Sequence, residues 1–170
     1  MALDIRKAAA VCACAFTFIS SVEGVTYVAA HQKYDPPKVI TVCNGITNYD
    51  QPNLKAGDRF TPAMCQDLLS HALPKYEACL DKHLPGNVVA AMTVHQYVAH
   101  LSFVYNEGCG NYLKSDMYRA AIAGDIAGSC NAFVATNADG TWKYDIANHQ
   151  HLKGLRNRRA AERNLCKTED

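Results

Sequence analysis

Charge of one sign is what this chain most plainly lacks. Seventeen Lys and Arg against sixteen Asp and Glu leave a formal net charge of +1, and only the stretch from Lys153 to Lys167 is locally basic. Phosphate-backbone affinity comes from clustered cations, so a nucleic-acid partner is excluded. No cysteine pair has CxxC spacing, and none of the eight cysteines falls in the paired spacings of a structural zinc site. Repeats and low-complexity tracts are absent, which excludes solenoids and disordered linkers. Residues 5–22, IRKAAAVCACAFTFISSV, hold the longest apolar run. That run is marginal against the roughly twenty apolar residues of a membrane-spanning helix.

What remains is an ordinary globular composition, 49% hydrophobic and 19% charged over 170 residues, enough for one domain or two small lobes. Eight scattered cysteines fit either disulfides formed in an oxidising compartment or buried free thiols. His149 and His151 have a metal-ligand reading, but their polar surroundings favour a solvated loop.

Residues 5–22 have three readings: a cleaved secretory signal, a membrane span or a buried helix. From Gly24 to Lys55, β-branched residues broken by Pro36, Pro37 and Asn44-Gly45 predict short strands and hairpins. Thr61-Pro62 starts a helix with a capping hydroxyl and a first-turn proline, and Pro74 inside it should kink or split it. Past Pro85-Gly86 the pattern is helical. Thr93 caps a helix that should be central and buried, Asn106 to Asn111 turn, and a helix through Met117 to Ile122 stops at Gly124. A short helix follows around Ile126 to Val134. Asn137 to Gln150 should be a loop, and 153–166 a closing helix in which Arg158 and Glu162 share a face.

Glycoside hydrolysis needs one carboxyl kept protonated for the leaving oxygen and a second carboxylate for water or the sugar. Glu23 ends the apolar run, where burial raises a carboxyl pKa. Asp35 sits in a proline-containing turn, where it stays solvated and ionised. Thr41 opens the next strand and offers a hydroxyl to a water. On these residues alone a solvated helix end is the commoner account of Glu23, and ordinary turn chemistry accounts for Asp35.

Longer stretches resolve the choice. Glu23-Gly24, the segment from Asp35 to Thr41 running into TVCNGIT, the Cys65 helix with Leu68-Leu69, LSFVYNEGCGNY with Ser115, GDIAGSCN and GLRNRRAAERNLC occur in one order over nearly the whole chain. Together they resemble the phage lysozyme family of glycoside hydrolases, close to the endolysins of lambdoid phages. The resemblance implies an α+β, mainly helical fold in which a small β lobe and a larger helical lobe are joined by a long helix. In residues, that is 1–22 as the N-terminal helix, 23–60 the β lobe, 61–84 the connecting helix and 85–170 the helical lobe.

It also implies an inverting muramidase that cuts the β-1,4 bond between N-acetylmuramic acid and N-acetylglucosamine, without cofactor or metal. Glu23 maps to the acid, Asp35 to the residue that orients or activates water, and Thr41 to a holder of that water. Thr47, Phe103, Ser115 and Asn131 map to the glycan cleft, and Phe103 reads equally well as a core aromatic. The partner would be peptidoglycan glycan strands, met by a monomer in the host periplasm after export or holin-mediated release from the cytoplasm. Residues 5–22 would serve as the first helix, or also as an uncleaved signal-anchor-release segment with transient inner-membrane association. Two rivals are a wall-binding relative that has lost catalysis and a permanently membrane-anchored form. Cysteines at 43, 65, 130 and 166 stand where related endolysins carry them, which implies bridges Cys43–Cys65 and Cys130–Cys166. Eleven residues separate Glu23 from Asp35, more than the eight usual in the family. Ile46 stands where a histidine is common, and the loop TNADGTWKYDIANHQH is longer than its counterpart.

Overall fold

The computed structural model describes residues 5–33 and 36–169, with side chains from residue 10 onward. Its contacts divide the chain into two units, Phe16–Pro74 and a second drawn from Met1–Ala15 and Lys75–Asp170. The architecture is mainly helical with small sheets, as the resemblance implied.

Helix α1 spans Ile5–Val22, and Val11, Ala15 and Ile19, four residues apart, form its buried stripe. The helix is therefore used for packing although apolar residues lie all round it. Among the described residues, no helix is long and apolar enough to cross a membrane.

In the Phe16–Pro74 unit, strands β1 (Thr26–Ala30), β2 (Thr41–Cys43) and β3 (Ile46–Thr47) form one antiparallel sheet in that order. The β2–β3 turn is the Asn44-Gly45 dipeptide, with Gly45 at φ 90, where a side chain would be strained. Val42 and Ile46 pair across it and are fully buried, so the hairpin's apolar face is fixed in register. Cys43 is bridged to Cys65, at a Cα separation of 5.2 Å, which ties the hairpin to the first turn of helix α2 (Pro62–His83).

Pro74 does not split α2. The helix is continuous from Pro62 to His83, and both Pro74 and Ser70, whose carbonyl the proline leaves without a donor, are exposed. Water can satisfy that carbonyl, so the break the sequence suggests is not forced.

The second unit is built around α4 (Val94–Glu107). Thr93 and Gln96 close a reciprocal capping box at its start. Every residue from Tyr97 to Tyr105 is buried, so the helix is enclosed on all sides. Before it comes α3 (Gly86–Ala91), and around it α5 (Cys109–Tyr112), α6 (Asp116–Ile122), α7 (Ile126–Ala132) and α8 (Lys153–Cys166). The expected turn at Asn106 to Asn111 is taken up by the end of α4, Gly108 and the start of α5, which Cys109 fastens to Cys79 of α2 at a Cα separation of 5.9 Å. Cys130 and Cys166 join α7 to α8 at 5.4 Å. Both bridges implied by the resemblance are formed, and Cys79–Cys109 is a third that it did not supply. Cys12 and Cys14 are outside the disulfides.

The expected loop at Asn137 to Gln150 contains a hairpin, β4 (Ile146–Ala147) with β5 (Gln150–His151). Its two turn residues, Asn148 and His149, both have positive φ, as a two-residue hairpin turn of the right twist requires. Asp145 anchors it from a fully buried position by accepting hydrogen bonds from the His151 ring and from Arg156 Nε at 2.9 Å. Burial alone would push the Asp145 carboxyl up, but the bonds from His151 and Arg156 together hold it below its ordinary range.

Candidate active site

Glu23 is the first residue after α1. Its backbone N–H donates to the Ile19 carbonyl at 3.0 Å, so the last turn of the helix fixes where it leaves the axis, and its side chain is half-buried. Three residues later β1 begins, and β1 pairs with β2, whose first residue is Thr41. Thr41 lies opposite Ala30 on one side and Thr47 on the other. The sheet thus brings Thr41 and Thr47 together as a cross-strand pair. Asp35 lies outside the described residues.

The segments flanking Asp35 are tied in place. The His31 Nδ1–H donates to the Val39 carbonyl at 2.8 Å, and Val39 N–H donates to Pro36 O at 2.9 Å. Asn48 grips the same stretch from β3's exit. It accepts from Ile40 N at 3.0 Å through its side chain, donates from that side chain to Lys38 O at 3.3 Å, and donates its backbone N–H to Ile40 O at 3.1 Å. Ile40 immediately precedes Thr41, so Asn48 fixes the entry of β2. Sequence reasoning missed both His31 and Asn48, whose only signal is a polar residue beside a proline-rich turn and another after a strand.

Thr47 is already engaged locally. Its hydroxyl donates to Asp50 Oδ2 at 3.1 Å and accepts from Tyr49 N at 3.2 Å. The three other residues mapped to the cleft lie in the second unit. Phe103 is 1% exposed, with Tyr144 edge-on at 5.6 Å and the Arg159 guanidinium 4.5 Å above its ring. Ser115, also 1% exposed, caps α6 by accepting from Tyr118 N at 3.1 Å. Asn131 is exposed on α7. The hydroxyl of Ser115 and the ring of Phe103 are therefore occupied by structure, and Asn131 alone of the three presents its side chain to solvent.

One further carboxyl has a perturbed environment. Glu107 ends α4, 3.5 Å from Arg159, and burial raises its pKa against the pull of that guanidinium. Its signal in the sequence is an acid at a helix end before Gly108.

Comparison with known proteins decides what this frame belongs to. The model of the family described as phage lysozyme matches residues 20–162. The chain belongs to the phage lysozyme family. The matched span opens three residues before Glu23 and closes at Glu162 of α8. Among relatives, a SAR-endolysin of Enterobacteria phage PA-2 is 32% identical over 144 residues, 85% of this chain and 76% of its own length. A SAR-endolysin of Bacteriophage PS119 is 32% identical over 138 residues, 79% of this chain and 74% of its own length. Two solved structures share the fold. The muramidase domain of SpmX from Asticaccaulis excentricus has a TM-score of 0.70 at 23% identity, covering 92% of this chain and 96% of its own. The endolysin of Escherichia coli O157:H7 phage FAHEc1 has a TM-score of 0.69 at 22% identity, covering 98% and 94%. Membership makes the chain an enzyme of lysozyme type.

Proposed function

We propose that this lysozyme-family chain hydrolyses the β-1,4 bond between N-acetylmuramic acid and N-acetylglucosamine in peptidoglycan, with inversion, as an endolysin acting in the host periplasm. Glu23 gives its proton to the leaving oxygen, Asp35 activates or orients the attacking water, and Thr41 helps to hold that water. The observation that carries the reading is local to one unit. A carboxylic acid leaves the last turn of a helix, β2 of the strand pair that follows opens on Thr41, and the described residues on either side of Asp35 are tied down by His31 and Asn48. Positioned acid and base groups of this kind are worth typically 10² to 10⁴ in rate.

Glycan contacts fall to the half-buried Thr47 in one unit and to the exposed Asn131 in the other, while Phe103 and Ser115, also mapped to the cleft, are engaged within the second unit. In sequence terms, the β lobe of 23–60 carries the chemistry and the helical lobe of 85–170 supports the glycan. Residues 5–22 double as an export segment that is not cleaved. Cleavage near Ser21 would remove the buried Val11, Ala15 and Ile19 and cut the helix that sets Glu23. The SAR-endolysin name of the relatives agrees with that role.

Inversion requires the two carboxyls to stand roughly 6.5 to 9.5 Å apart, leaving room for water, against roughly 5 to 5.5 Å for retention. The test is NMR of the first anomer released from purified glycan strands. The expected product is the α-anomer of a muramic acid reducing end. A β-anomer formed first would overturn inversion, a glucosamine reducing end would overturn the bond assignment, and a 1,6-anhydromuramic acid end, formed at the same bond without addition of water, would overturn hydrolysis.

A further inference from the structure

Strand β1, which follows Glu23, pairs irregularly with β2. Thr26 pairs with Cys43 and Ala30 with Thr41, so four positions along β1 face two along β2, and the register breaks between them. Bulges of this sort bend a strand and re-aim its side chains. Around the start of this strand apolar groups lie open to solvent: Val25, just before β1, is 41% exposed, and within it Tyr27 is 44% and Val28 40% exposed. A single exposed apolar side chain needs no explanation, but three within four residues, beginning two residues after Glu23, do.

We infer that this outward part of β1, with Tyr27 as its principal contact, is a glycan-binding subsite of the enzyme. The inference rests on the muramidase reading above. Two other partners fit less well. A peptide strand cannot add to β1, because β2 pairs with one edge and the 57–60 segment takes the other. There Ala29 N–H donates to Asp58 O at 2.9 Å, Gly57 N–H to Ala29 O at 2.8 Å and Phe60 N–H to Tyr27 O at 2.9 Å. Recognition must therefore go through side chains. An anionic lipid surface would call for lysine or arginine beside the apolar groups. Residues 24–32, GVTYVAAHQ, contain none, and on the paired segment the exposed Arg59 stands opposite Val28, one cation where a polybasic cluster would be called for. A tyrosine ring with the exposed Thr26 beside it and Arg59 across from Val28 suits a glycan strand, whose sugar faces are apolar and whose muramic acid carries a lactyl carboxyl. The C–H faces of sugar rings stack on tyrosine, and their hydroxyls meet hydroxyl groups. The patch is continuous along the chain with the proposed acid, so it would bind the strand that Glu23 cleaves and set substrate affinity without taking part in the chemistry.

The test measures binding of peptide-free glycan strands, prepared by amidase treatment of peptidoglycan, to Glu23→Gln protein carrying Tyr27 as it is, Tyr27→Ala or Tyr27→Phe. Losing one stacking ring should weaken binding roughly five- to tenfold, and Tyr27→Phe, which keeps the ring, should stay within about twofold. In the active enzyme, Tyr27→Ala should raise KM by a similar factor with kcat within about twofold. Glycan affinity unchanged in Tyr27→Ala overturns the subsite, as does a parent protein that binds no glycan. So does loss of sedimentation with phosphatidylglycerol vesicles in Tyr27→Ala with glycan binding intact, which would assign the patch to a membrane. Failure of the muramidase reading is seen separately, as wild-type protein releasing no reducing ends from purified walls, while the ratio of the binding constants still judges Tyr27.

Discussion

His100 has no exposure to water and sits in a chain of hydrogen bonds whose direction is fixed. Ser129 Oγ–H donates to the Met117 carbonyl at 2.7 Å, so its oxygen accepts from His100 Nε2–H at 3.1 Å. Nδ1 is then the acceptor and takes the Tyr112 hydroxyl proton at 2.9 Å. A second proton on the ring would have to displace that donor, and burial pulls the imidazole down from 6.5 to about 4. Between those values the unfolded chain holds one proton more than the folded one, so stability rises with pH across the window. The contribution is complete above about pH 6.5 and is lost as the pH falls toward 4, on the order of 3 kcal/mol in all. Urea midpoints at pH 7, 5.5 and 4.5 should fall accordingly. His100→Gln should be less stable at pH 7 but show a visibly flatter fall, and an identical slope in both proteins would show that His100 is not its source.

At the scale of elements, α8 is held to α4 by a charged cluster that water does not reach. Glu162 accepts from Arg158 Nε at 3.0 Å and from Ser102 Oγ at 2.7 Å, and pairs with Arg159 Nε at 2.8 Å. Arg159 and Glu162 are fully buried and Arg158 nearly so. Glu162→Gln would take the shared carboxylate from the buried Arg158 and leave Arg159 with Glu107 at 3.5 Å, which should cost about 3 kcal/mol, since weakening a buried charge pair costs more than losing a surface one. A change below about 1 kcal/mol in the urea midpoint analysis would mean the cluster is wetter than it stands here. This element was legible in advance because Arg158 and Glu162 recur at helical spacing between Lys153 and Cys166. Arg159 was not placed, because its partners Asn106 and Phe103 lie on α4, more than fifty residues earlier in the chain. The β4–β5 hairpin was hidden for a different reason. Its turn uses Asn148 and His149 at positive φ without the glycine that usually announces such a turn, and its anchor Asp145 is an ordinary aspartate until the fold buries it.

At the scale of the molecule, local chemistry and chain order were readable and long-range closure was only partly so. The end of α1 before Glu23, the Asn44-Gly45 turn, the cap at Thr93 and the stop at Gly124 all follow from residues within a turn of one another. The continuity of α2 through Pro74 depends instead on that residue facing water, and the Cys79–Cys109 bridge on where α5 comes to rest. The candidate site divides in the same way. Glu23 and Thr41 are singled out by local motif and resemblance, whereas His31 and Asn48 act through backbone groups and leave no motif. The central claim is that an acid at the end of α1 drives hydrolysis of the glycan, and its most direct measurement is the release of reducing ends from purified peptidoglycan by wild-type and Glu23→Gln protein of equal thermal stability. The amide matches the carboxyl in shape but cannot donate an acid proton, so release should fall by roughly 10² or more. Release within a factor of a few of wild type would remove Glu23 from the mechanism.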